Sequence, residues 1–70
     1  MPYKDKLKYI YNEIRALTGL DAKIICDDRF NVQFITDKRQ SRNIDVTSIN
    51  TIADLTLYAR LASLDLTRPI

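Results

Sequence analysis

Residues 49–66 carry more apolar side chains than one face of a helix can bury, and that surplus constrains the chain more than any other feature. At about 100° per residue, Ile49, Ala53, Leu57, Leu61 and Leu64 form one stripe. Ile52, Leu55, Ala59, Ala62 and Leu66, spaced 3-4-3-4, form a second on the opposite side. Thr56, Arg60 and Ser63 separate the two along one border, and Asp54 and Asp65 along the other. One stripe can face the chain's own core; the other then needs a partner. The 3-4-3-4 spacing suits a helix–helix seam, and Ala59 and Ala62 would let two backbones approach closely. The second stripe is therefore assigned to self-association, with a two-fold homodimer as the simplest closed form. The rival arrangement packs this stripe on the first helix and the other stripe on the strands, which leaves no surplus.

Chain length sharpens the argument. A 70-residue domain buries only about 60% of its unfolded-chain surface and usually adds a disulfide, a metal or an oligomer. Cys26 is the sole cysteine and histidine is absent, so neither an internal disulfide nor a zinc site of the common His/Cys kind is expected. Oligomerisation remains. With 46% apolar and 29% charged residues, the composition is that of a folded domain. No apolar run approaches the roughly 20 residues of a membrane span, and the N-terminus lacks a signal-peptide core. The expected location is the cytoplasm, or the host cytoplasm for a viral protein.

The preceding chain reads as a helix and a hairpin. Tyr3, Leu7, Ile10, Ile14 and Leu17 repeat at 4-3-4-3 and predict a helix over about 3–18. Gly19, the only glycine, stands where a left-handed cap would end it, with Leu20 placed to fold back on Ile14. Residues 22–26 and 30–36 read as strands joined at Asp27-Asp28-Arg29. A three-residue turn would pair Cys26 with Phe30, Ile24 with Val32 and Ala22 with Phe34 on the inner face. Lys23, Ile25, Asn31, Gln33 and Ile35 would then face outward. Cys26 is expected to be an inert core thiol, and the two aspartates to form a turn. Residues 37–44 read as a polar basic loop. The second helix is predicted over about 46–66, capped between Asp45 and Ser48 with Ile44 and Ile49 as a staple, and followed by a short tail over 67–70.

This order predicts an α+β fold in one domain over residues 1–70: a two-layer helix–hairpin–helix with a long C-terminal helix. Thr18-Gly19 ahead of a hairpin, in that element order, resembles the joint in small head-completion proteins of the kind phage lambda has. That resemblance covers about the first half of the chain and implies a joining role in a viral assembly.

Function is read from what the residues can and cannot supply. There is no histidine, glycine-rich phosphate loop, nucleophile elbow or metal-ligand cluster, so no catalytic residue, metal, cofactor or small-molecule substrate is expected. The main expectation is a non-enzymatic protein-binding module that self-associates through Ile52, Leu55, Ala59, Ala62 and Leu66, in the manner of a small regulator or inhibitor of a larger complex. A second expectation is nucleic-acid binding. Lys4, Lys8, Tyr11 and Arg15 share one face of the first helix, and Lys38, Arg39 and Arg42 sit in the polar loop. The net charge of +2 permits such a partner without requiring one.

Overall fold

The computed structural model describes residues 2–26 and 31–68. Its elements run α1 (Tyr3–Thr18), β1 (Lys23–Cys26), β2 (Asn31–Ile35), β3 (Ile44–Asp45), a single 3-10 turn (Val46–Ser48) and α2 (Ile52–Thr67). The three strands form an antiparallel meander with β2 in the centre. The predicted α+β layering is present, with one strand more than the hairpin. The Asp27-Asp28-Arg29 turn, Phe30 and the end of the tail lie outside the described residues.

The helices share one layer. The Tyr9 and Thr56 hydroxyls are 2.9 Å apart, and Leu17 and Thr18 line one groove with Ser63, Leu64 and Thr67. The two helices therefore run side by side in the same direction, as an odd number of antiparallel strands between them requires. Between the helices and one sheet face lies the core: Ile10 and Ile14 from α1, Val32 and Phe34 from β2, Ile44 from β3, Val46 from the 3-10 turn, Ile49 just after it, and Leu55, Ala59, Ala62 and Leu66 from α2.

α1 ends as its sequence predicts. Gly19 has φ 73°, and its N–H donates to the Arg15 carbonyl at 2.8 Å. A Cβ at Gly19 would meet nothing within 4 Å, so substitution costs only the left-handed backbone. Gly19→Ala should destabilise the fold by about 1 kcal/mol in chemical denaturation. An unchanged midpoint would remove the cap from the account. The buried line of α1 is Lys6, Ile10 and Ile14, flanked by half-buried Tyr3 and Leu7; Leu17 overhangs the end and is exposed.

The hairpin faces are as expected, but the register is not. Ile24 pairs with Phe34 and Cys26 with Val32, two residues away from the predicted pairing. A shift of two preserves the pleat, so each side chain keeps its face. Burial differs, because β1 is an edge strand. Ile24 is 37% exposed, and Cys26 is exposed with its Sγ 3.6 Å from the Tyr3 hydroxyl. The expected inert core thiol is thus corrected to a surface thiol. It should label under native conditions at close to the rate of an unfolded chain, as titration with a thiol reagent would show; strong protection would place it under α1.

The polar loop turns back along β2 as an irregular segment, bridged at Gln40 and ending in β3. Thr36 N–H donates to the Arg39 carbonyl at 2.8 Å, while the Thr36 hydroxyl accepts from the N–H groups of Lys38 and Arg39. The chain then runs back along β2, with Gln40 opposite Ile35 and Ile44 opposite Val32. Two residues of β2 lie between those pairs and three on the returning side, so one extra residue makes a bulge. Buried Ser41 seals it. Its N–H donates to the Phe34 carbonyl at 2.8 Å, and its hydroxyl accepts from Phe34 N–H at 2.9 Å. A side-chain oxygen thereby takes a ladder bond that the backbone cannot reach.

The second helix starts later than predicted. Asp45 does cap, but it caps the 3-10 turn, accepting from Thr47 N–H at 3.2 Å. Ile49 is extended and buried. Thr51 is the N-cap of α2 and accepts from Asp54 N–H at 3.1 Å. Thr51-Ile52-Ala53-Asp54 has the spacing of a capping box, the sequence signal that marked this boundary. Each helix spans 16 residues.

Candidate functional site

α2 presents its two stripes the opposite way from the expectation. Leu55, Ala59, Ala62 and Leu66, assigned from sequence to self-association, are at most 4% exposed and belong to the chain's own core. Only Ile52 of that set reaches solvent, at the first turn. The small residues explain the choice: Ala59, Ala62 and Ser63 let α2 approach its neighbours closely, and the Ser63 hydroxyl is satisfied by the Ala59 carbonyl at 2.8 Å.

The other stripe faces outward. Leu57 is 51% exposed, Leu64 is 61% exposed and Leu61 is half-buried beside them, with exposed Ala53 at the N-terminal end. Leu17 of α1, 53% exposed, extends this surface across the helix–helix groove, which Thr18, Arg60, Ser63, Leu64 and Thr67 complete. Ile49, counted in this stripe from sequence, lies before the helix and is buried. The surplus of apolar surface therefore exists, on the face opposite to the one predicted.

The cations named from sequence do not converge. On α1, Lys4, Lys8 and Arg15 are exposed and Tyr11 is half-buried. The Tyr11 hydroxyl donates to the Asp21 carboxylate, Arg15 donates to that hydroxyl at 3.3 Å, and Arg15 lies 3.8 Å from the same carboxylate. Lys38 and Arg39 sit on the turn after β2, which shares a hollow with Asp37 and Asp65 near the C-terminal end of α2. Lys4 and Lys8 sit at the N-terminal end of α1, the far end of the helix layer. Lys4 and Lys8 are thus set apart from Lys38 and Arg39.

Arg42 has a structural role. Its Nε and Nη2 donate to the two oxygens of Asp65 at 2.8 and 2.9 Å, and its backbone N–H donates to the same carboxylate at 2.9 Å. The fork and the backbone bond pin the returning segment, just ahead of β3, to α2. The Arg42 side-chain hydrogen bonds hold the Asp65 carboxyl below its ordinary value of 3.8, against the opposing effect of burial. A depressed carboxyl stabilises the fold above its unfolded pKa and ceases to do so as pH falls through the folded one. Stability should therefore drop in acid, below about pH 4. Asp65→Asn should lower the thermal midpoint at pH 7 and flatten this acid limb. An unchanged pH profile would mean that the pair contributes nothing.

Lys6 is a residue whose place the sequence reading missed. It is 7% exposed, aligned with Ile10 and Ile14, and its ammonium donates to the Val46 carbonyl at 3.3 Å. Its stem packs as an apolar residue while its tip holds the 3-10 turn, a combination that residue type alone does not announce.

Among the described residues, no group of three or more His, Cys, Asp or Glu side chains is placed to hold a metal ion. No described helix is long and apolar enough to cross a membrane. Fold and surface together define a class: a two-layer α+β module that carries an apolar strip on the outside of its helix layer. The chain matches no protein-family model, no curated protein and no solved structure.

Proposed function

We propose that this chain is a non-enzymatic protein-binding module that docks through the outer face of α2, centred on Leu57, Leu61 and Leu64 and widened by Leu17. The observation that carries the reading is the exposure of these leucines on a helix whose opposite face already fills the core. Connected apolar surface of this kind is kept by soluble domains mainly where something covers it. The three leucines that are half exposed or more, Leu17, Leu57 and Leu64, would each gain about 1 kcal/mol on full burial, half the usual value for the side chain. Such gains support regulated or reversible association better than permanent assembly, given the cost of bringing two bodies together.

The nucleic-acid and viral-joining readings draw on no comparable observation. Two of the six cations named for nucleic acid, Arg15 and Arg42, are turned toward carboxylates. The double variant Leu57→Glu, Leu64→Glu tests the reading. It should keep the helical signal of the wild type and lose association, measured by sedimentation for self-association and by pull-down from the producing cells for other proteins. Association that survives the double variant would move the interface elsewhere.

A further inference from the structure

We propose that the occupant of the outer α2 face is a second copy of this chain, docked antiparallel about a two-fold axis at Leu61; the inference rests on the docking reading above. The argument is the symmetry of the face about that residue. Asp54 and Arg68 stand seven positions before and after Leu61, and Leu57 and Leu64 stand four before and three after. At about 100° per residue, Asp54, Leu57, Leu61 and Leu64 project within roughly 40° of one line along the helix, and Arg68, the extended C-cap residue, follows directly after its last turn. Arg60 lies about 80° off that line and borders the groove with Leu17 instead.

In an antiparallel pair centred on Leu61, a residue a given distance before the centre meets one the same distance after it on the other copy. Leu61 then meets Leu61, Asp54 meets Arg68 twice over, and Leu57 falls within one residue, about 1.5 Å along the axis, of Leu64. An apolar ladder closes at both ends with opposite charges. A parallel pair would instead set Asp54 beside Asp54 and Arg68 beside Arg68, which like charges disfavour. Arg68 is available for this role: its side chain is 68% exposed, and its contact within the chain is to Asp65 at 3.9 Å, a carboxylate that Arg42 already holds. Asp54 is exposed in the first turn of α2, with its backbone N–H donating to the Thr51 cap. An unrelated partner would need only an apolar strip; the matched charge of opposite sign at equal distances is what a second copy uses.

Oxidative cross-linking tests the geometry in full-length protein with Cys26→Ser. Leu61→Cys should form a disulfide with itself. Leu57→Cys mixed with Leu64→Cys should form the mixed disulfide in preference to either self-linked product. Self-linked Leu57→Cys as the main product would mean a parallel pair and overturn the proposal. By sedimentation, Asp54→Arg should weaken the dimer about fivefold or more, and Asp54→Arg with Arg68→Asp should restore it; no restoration counts against the charge match and overturns it. A photoreactive residue at position 61, in the cells that make the protein, separates this inference from the docking reading. An adduct of twice the chain mass supports the second copy. An adduct of another mass overturns the second copy and keeps the docking face. Absence of any adduct overturns both.

Discussion

Leu55→Glu should unfold this protein, whereas Leu57→Glu, two positions along the same helix, should leave it folded. Leu55 is 1% exposed and sits in the cluster with Ile10, Phe34 and Ala59. Replacing it removes a buried leucine side chain, worth about 2–5 kcal/mol with its cavity. It also asks a carboxylate to leave water for an apolar site, a penalty of several kcal/mol or a forced protonation. A single core in a chain this short rarely supplies more than about 3–5 kcal/mol, so the variant has nothing left to fold with. Leu57 is half exposed, and glutamate there keeps its hydration while its stem covers the same surface. Circular dichroism read against temperature checks both variants. A cooperative, helical Leu55→Glu would mean that α2 has its other face inward, and that the interface belongs to Leu55, Ala59, Ala62 and Leu66 after all.

Phe34→Ala should cost about 3–5 kcal/mol, enough to leave the chain largely unfolded at 37 °C. Phe34 is fully buried on the central strand, and its backbone N–H and carbonyl are the two groups through which Ser41 holds the bulge. Truncation opens a void in the middle of a sheet only three strands wide, with helices on one side and no second core to compensate. Urea denaturation should show the midpoint collapsing. A loss below about 1 kcal/mol would mean that the helix layer settles into the void, a collapse that close-packed interiors seldom manage.

Local signals brought much of this fold within reach of the sequence. The 4-3-4-3 spacing of α1 and the lone Gly19 set that helix and its end, because helix period and positive φ are properties of a few neighbouring residues. Alternation in β1 and β2 assigned their faces even though the pairing is shifted by two. The returning segment and its pairing with β2 were hidden, since Gln40, Ser41, Arg42 and Asn43 have no strand-like alternation. They are held by side-chain bonds from Ser41 and from the Arg42–Asp65 pair, whose acceptor lies 23 residues further on.

The chain by itself determined that α2 carries apolar surface on two sides, because both stripes follow from helical period alone. Which side is left over was decided only by the tertiary structure. As read from the sequence, the outward stripe holds one leucine more and one alanine fewer than the inward one, so burial energy per residue does not make this choice. Shape chooses: Ala59, Ala62 and Ser63 fit a close helix-on-core contact, Arg42 reaches Asp65 from the returning segment, and Thr56 meets Tyr9 beside α1. Those three constraints from separate elements turn Leu55 inward and leave Leu57, Leu61 and Leu64 at the surface, and none of them can be seen along the helix itself.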